Sequence, residues 1–316
     1  MLLSADHVGV GSPALWVGFS VFVVALLALD LGVLNRKAHA PSLGEAARWT
    51  ALWVGIAAAF NVFVYVRFGH EKGAEFTAGY VVEEALSIDN LFVFLVLFRS
   101  LAVPAAYQHR VLFWGILGAL VTRGIFILVG SALLDRFHWM IFVFGGFLVI
   151  TGGKLLFAGE VEPHPEKNII ARMFRRIFPM TADYHGGNFF VHEDGRRKAT
   201  PLLLAVVAAE ATDVLFATDS IPAVFAISRD PFIVYTSNIF AILGLRSLYF
   251  LLAGIMDRFH YLKYGLAFVL IFVGGKMLLG ESYEVPVLWS LAVILGLLAI
   301  SIVASLLRPR PPASGH

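Results

Sequence analysis

Apolar runs long enough to cross a bilayer recur along the whole of this 316-residue chain, and they leave little choice but a helical membrane fold. A hydrocarbon core of ~30 Å takes about 20 apolar residues per helical crossing. Nine such spans are predicted, at about 14–34, 48–67, 76–98, 110–133, 138–157, 201–227, 232–255, 261–279 and 286–307. Lipid offers the backbone no hydrogen-bond partner, so each span must satisfy its own amides as a helix. The expected fold class is an all-α polytopic membrane protein. Composition agrees: 59% of residues are hydrophobic, 15% are charged and the mean hydropathy is +0.81, outside the range of soluble domains. No Lys or Arg precedes the first run, so it is expected to stay as an anchor and not to act as a cleaved signal. The chain has no cysteine, hence no disulfide framework and no thiolate metal ligand.

Orientation follows from the basic residues, which favour cytoplasmic flanks. Of the 24 Lys and Arg, 17 fall on one set of alternate flanks, from Arg36 through the 159–200 stretch to Arg310. Five (Arg67, Lys72, Arg136, Arg229 and Lys276) fall on the other, and Arg123 and Arg246 lie within spans. The N-terminus is therefore expected outside and the C-terminus in the cytoplasm of a cytoplasmic-membrane protein, as an odd number of spans requires.

The chain also repeats itself. The segment "DRFHWMIFVFGGFLVITGGKLL" from Asp135 is answered by "DRFHYLKYGLAFVLIFVGGKML" from Asp257, at an offset of 122 residues. Arg123 matches Arg246 at an offset of 123, and "SIDNLFVF" from Ser87 matches "ATDSIPAVF" from Ala217 at an offset of 130, pairing Asp89 with Asp219 and Asn90 with Ser220. The expected organisation is an N-terminal two-helix region (1–75), a three-helix repeat (76–158), a cytoplasmic loop (159–200), a second repeat (201–280) and a last helix with a short tail (281–316). With three spans per copy and none between, the second copy is inverted, an arrangement that places transporter sites near the midplane.

Six acids stand inside these spans: Glu83, Glu84, Asp89, Glu210, Asp213 and Asp219. Each costs roughly 2.5–3.5 kcal/mol at a helix centre, and two arginines cannot neutralise six. Helix glue alone is served more cheaply by Ser, Thr or Gly. At 100° per residue Glu83, Ser87 and Asn90 share a face, Glu210 and Asp213 are about 60° apart, and Glu84 and Asp89 about 140° apart. Pro222 is expected to kink or unwind the helix around Thr218, redirecting Asp219 and freeing carbonyls. The available ligands, including Ser87, Thr212, Thr218 and Ser220, are all oxygen donors, which suits Mn²⁺, Ca²⁺ or Mg²⁺ and does not choose among them. Arg123 and Arg246 are expected to balance the negative charge while the site holds no metal.

"EEALSIDNLFVF", "TPLLLAVVAAEATDVLFATDSIPAVFAIS", "DPFIVYTSNIFAILGLRSLYF" and "FGGFLVITGGKLL" resemble the TerC family of integral membrane proteins, over about residues 15–307. The acid-TD-F-DSIPA pattern of the second repeat carries most of that likeness. The resemblance implies a manganese exporter whose metal path is formed by Glu84, Asp89, Asn90, Glu210, Asp213, Asp219 and Ser220; Glu83, the other member of the Glu-Glu pair, is a further candidate read from the residues alone. It implies Mn²⁺ as cargo, with Ca²⁺ behind it, and no prosthetic group. The expected partners are the divalent cation and the lipid bilayer, with no nucleic acid.

In the 159–200 loop, "NIIARMFRRIF" has apolar residues at helical spacing beside Arg172, Arg175 and Arg176, fitting either the anionic leaflet or the ends of the spans. "FFVHEDGRRKA" reads as a hairpin about Asp194-Gly195. His185, His192, Glu193 and Asp194 read as solvated loop residues. The paired glycines at 145, 152 and 274 suit close helix packing. Two functions remain: a transporter expelling Mn²⁺, in exchange for protons, and a non-transporting scaffold or assembly factor whose acids hold metal structurally. No Ser-His, HExxH or paired-Asp motif supports an enzyme. A reporter fused after residue 185 is expected to be cytoplasmic and one fused after residue 230 external; finding both on one side would remove the inverted repeat.

Overall fold

Residues 9–29, 42–137, 139–157, 178–193, 195–253, 261–279 and 285–307 are described by a computed structural model, with the side chains of Asp89, Phe92, Val96, Ser100 and Asp219 left aside. Among the described residues there are nine helices: α1 (Pro13–Leu29), α2 (Leu43–Phe68), α3 (His70–Ser100), α4 (Ala105–Arg136), α5 (Met140–Phe157), α6 (Pro201–Phe225), α7 (Pro231–Ala253), α8 (Leu262–Leu279) and α9 (Val287–Leu307). The fold is thus the all-α polytopic membrane protein expected, with one helix for each predicted span. Among the described residues seven helices are long and apolar enough to cross a membrane; α1 is shorter, and α3 carries Glu83, Glu84 and Asp89 within its apolar 76–98 stretch. Large apolar side chains such as Val66, Leu215, Ile300 and Val303 face outward, as they must where lipid is the solvent.

The two helix triplets, α3–α5 and α6–α8, pack reciprocally. The first helix of each lies against the second of the other (α3 on α7, α6 on α4), and the third helices α5 and α8 make the most extensive contact in the molecule. That contact is antiparallel. Gly145 meets Gly274 and Gly152 meets Ala267, so that a Cβ on Gly274 would come within 2.7 Å of the Gly145 carbonyl, and one on Gly152 within 2.7 Å of the Ala267 carbonyl. Ala267 is the residue 122 positions after Gly145, and Gly274 stands 122 after Gly152, so the two contacts are copies of each other under the sequence repeat.

Around this core α1 and α2 wrap α7. Phe19 and Phe60 pack on Phe240 at ring separations of 5.8 and 4.8 Å, and α7 is the most buried of the apolar helices. The α2–α3 junction is the single residue Gly69, at φ +91°, a conformation that favours glycine. Asp230 caps α7, accepting from the Phe232 amide at 3.0 Å, and ties down the N-terminal segment by accepting from the Val10 amide at 2.8 Å.

The expected hairpin is present. Strand β1 (Phe190–Glu193) pairs antiparallel with β2 (Arg196–Ala199), and Gly195 has φ +71°; Asp194 lies outside the described residues. The hairpin segment is clamped to the α3–α4 turn. Tyr184 donates its hydroxyl to the Leu101 carbonyl at 2.7 Å, burial pushes that hydroxyl's pKa up to about 12, and Arg110 lies 5.0 Å over the Phe189 ring. His185 and His192 are exposed, and Glu193 pairs with Lys198 at 3.1 Å. The basic amphipathic stretch at 168–178 and the second DRFH fall almost wholly outside the described residues.

Of the kink or unwound turn expected at Pro222, the unwound turn is absent: helix α6 runs through Pro222 and ends at Phe225. Proline withholds only the amide that would reach residue 218, and the Pro222 carbonyl still accepts from Ala226 at 3.0 Å. So close to the helix end, one lost bond does not open the backbone.

The glycine seam makes a paired prediction. Gly274→Ala puts a methyl against a backbone carbonyl and is expected to cost about 1–3 kcal/mol, whereas Gly275→Ala, with nothing within 4 Å, is neutral or slightly stabilising. Thermal unfolding of the detergent-purified variants checks it, and equal midpoints would contradict the seam.

Candidate functional site

A guanidinium with no exposure to solvent stands at the junction of α3, α4, α6 and α7. Arg123, on α4, donates through Nη2 to Asp213 Oδ1 at 2.9 Å, with Nε 3.5 Å from Asp213 Oδ2. Its Nη1 donates to Glu83 on α3, to Ser220 Oγ at 3.1 Å and to Asn238 Oδ1 at 3.3 Å. Asn238, on α7, turns its amide on Glu83 Oε2 at 2.9 Å. All five side chains are buried: Glu83, Arg123 and Asn238 at 0% exposure, Ser220 at 1% and Asp213 at 4%. Asp213 sits halfway along α6, and Ser220 follows seven residues later, two turns on and on the same face.

The chemistry of the centre is that of a charge-assisted network in a dry environment. Removing an ion pair from water costs several kcal/mol per ion, and only close geometry with extra hydrogen bonds recovers it. Here Ser220 and Asn238 supply those bonds. With both acids ionised, two carboxylates face one guanidinium, so the described part of the centre carries one excess negative charge.

The predicted site residues divide. Asp213, Ser220 and Arg123 come together at this centre. Of the Glu83-Glu84 pair, Glu83 joins the Arg123 cluster, whereas Glu84 points away, is half-buried beside Gly244 and Trp53, and accepts from the Tyr80 hydroxyl at 2.7 Å. Glu210 is half-buried with its carboxylate flush on Gly118 of α4, in space that any other residue's Cβ would occupy. Asn90 and Ser87 are buried on α3, with Asn90 Nδ2 and Ser87 Oγ making no hydrogen bond among the described residues. Arg246 is half-buried on α7. The Asp89 and Asp219 side chains lie outside the described residues. Among the described residues no three His, Asp or Glu side chains gather closely enough to hold a metal ion.

Asn238 is the residue the sequence reading missed. The signal was a run of three polar residues, Thr236, Ser237 and Asn238, inside the most buried span. The Glu83 choice was also legible. The offset of 130 that pairs Asp89 with Asp219 pairs Glu83 with Asp213 as well, and Glu83-x6-Asn90 is mirrored by Asp213-x6-Ser220. Arg123 therefore bridges two carboxylates that occupy equivalent places in the two copies.

Asn238→Leu removes a donor to Glu83 and an acceptor of Arg123 at once. It is expected to lower stability by about 1–3 kcal/mol, the cost of leaving buried polar groups unsatisfied, read as a lower unfolding temperature in detergent. An unchanged temperature would mean the network is not bearing on stability.

The profile of the integral membrane protein TerC family matches residues 68–312. A membrane protein of Myxococcus xanthus is 56% identical over 95% of this chain and 94% of its own length. A protein of Escherichia coli K12 named membrane-bound redox modulator Alx is 45% identical over 93% of this chain and 94% of its own. A Rickettsia felis membrane protein is 39% identical over 93% of this chain and 97% of its own. No solved structure matches.

Proposed function

This chain belongs to the integral membrane protein TerC family, and from that premise we propose that it is a secondary transporter exporting divalent cations, Mn²⁺ first and Ca²⁺ second, in exchange for protons. The observation that carries the reading is the pair Glu83 and Asp213, repeat-equivalent carboxylates buried at the junction of the two triplets. Ionisable groups deep in a membrane are costly and mark ion pathways. The reciprocal helix packing and the copied glycine contacts support two inverted repeats, whose interface is where carriers of this kind bind their cargo. Asp89 and Asp219 are the next repeat-equivalent pair along the same helices, and the reading assigns Glu84, Asn90 and Glu210 to the same metal path. The donors are oxygen throughout, which suits a hard cation. On this reading the protein is a carrier and not an enzyme, it lies in the cytoplasmic membrane with its N-terminus outside, and the hairpin segment faces the cytosol.

The test is flux. Purified protein in proteoliposomes is expected to accumulate radioactive Mn²⁺ under an imposed proton gradient, with Ca²⁺ and Mg²⁺ assayed as competitors. Asp213→Asn, Asp89→Asn and Asp219→Asn are expected to reach the membrane at wild-type levels, because each removes a charge from within a predicted span while keeping the side chain's shape. Each is expected to lose at least about nine-tenths of net Mn²⁺ transport, about 1.4 kcal/mol or more. His192→Ala, in the exposed hairpin, retains it. Normal transport by well-expressed Asp89→Asn and Asp219→Asn proteins would defeat the metal-path assignment, and a wild-type protein that moves no Mn²⁺ would favour a scaffold.

A further inference from the structure

We propose that Arg123 is a tethered substitute for the cargo: its guanidinium stands in the cation's place while the carrier is empty, and withdraws from the carboxylates when a divalent cation arrives. The inference rests on the transport reading above and adds how the empty carrier resets.

A cation that bridges Glu83 and Asp213 must lie between them, and that space is filled by the guanidinium, fully enclosed and in contact with both. Arginine and cation therefore exclude one another. The geometry also provides for retreat. Nη1 already reaches two neutral acceptors, Ser220 Oγ at 3.1 Å and Asn238 Oδ1 at 3.3 Å, so the arginine keeps hydrogen-bond partners after it gives up the acids. The four-bond side chain can swing while the α4 backbone stays in place. Asn238 links the two conditions, since its amide donates to Glu83 at 2.9 Å while its carbonyl accepts from Arg123. The packed helices bring these charged groups to the guanidinium: Glu83 from α3 and Asp213 from α6, with α7 contributing the neutral Asn238.

Where the exchanged protons ride on other acids of the path, Glu83 and Asp213 return without cargo, and two bare carboxylates in a dry centre oppose that movement. With cargo bound, or with Arg123 in its place, the charge is offset and the conformational change can proceed. Arg123 is then a positioning residue for the return step. It is dispensable when cargo rides in both directions, and necessary when one leg runs empty.

The discriminating measurement compares net Mn²⁺ flux into cation-free buffer with Mn²⁺–Mn²⁺ exchange, at one pH, in proteoliposomes of the full chain. Calorimetric Mn²⁺ binding to the detergent-purified protein is read alongside. Arg123→Gln is expected to bind Mn²⁺ about tenfold or more tightly than wild type, because its competitor is gone, and to keep exchange within about twofold while net flux falls about tenfold. Arg123→Lys keeps the charge but loses the fork that spans both acids. It is expected to fall between wild type and Arg123→Gln in both readouts, and it decides the question if Arg123→Gln does not accumulate. Unchanged affinity, or net flux and exchange falling together, would overturn the inference while leaving transport intact. A wild-type protein that neither binds nor moves Mn²⁺ would remove the transport reading and this inference with it.

Discussion

The rest of the structure depends on one buried contact, the clasp of Arg123 on Glu83 and Asp213. A guanidinium and two carboxylates cannot be held in an apolar interior singly; each is tolerable only because the others are within hydrogen-bond reach. This forces four helices, α3, α4, α6 and α7, to meet at one depth and in one rotational setting. The apolar contacts around them, such as the Phe19, Phe60 and Phe240 cluster, are less demanding, since hydrophobic surfaces of similar size can repack. In lipid, moreover, apolar surface gains little by leaving its surroundings. Specific polar contact and close backbone approach carry the specificity instead.

Both devices fall at positions matched by the sequence repeat. At the centre, one arginine serves a carboxylate from each copy. At the seam of α5 and α8, Gly145 on Gly274 and Gly152 on Ala267 repeat one contact twice. The two triplets are held together at places that derive from matching sequence, which is what reciprocal packing of α3 on α7 and α6 on α4 requires.

Much of this was legible in the sequence, and the limits have physical causes. Span lengths and apolar runs located the nine helices of the described residues, because the bilayer sets a length that composition reveals directly. The seam glycines were legible too, since close approach needs residues without side chains. The hairpin followed from its turn. Asn238 escaped because a neutral polar residue carries no charge penalty to draw attention, and its meaning comes only from partners 115 and 155 residues away. The preference for Glu83 over Glu84 needed the register of the two copies, which a helix diagram of one copy does not contain. The unwound turn at Pro222 was overestimated because the cost of a proline depends on how much helix follows it, and here α6 ends three residues later.

Gly69 has a mechanical consequence. It is the whole of the joint between α2 and α3, with its amide bonded back to Tyr65 at 3.1 Å and its carbonyl bonded forward to Gly73 at 3.2 Å. Two rods of 26 and 31 residues thus meet at a corner governed by a single pair of dihedral angles. A small rotation there is magnified along α3 with distance, and Glu83 rides on that arm 14 residues from the corner. The aim of a buried carboxylate is therefore set in part by a residue with no side chain at the far end of its helix.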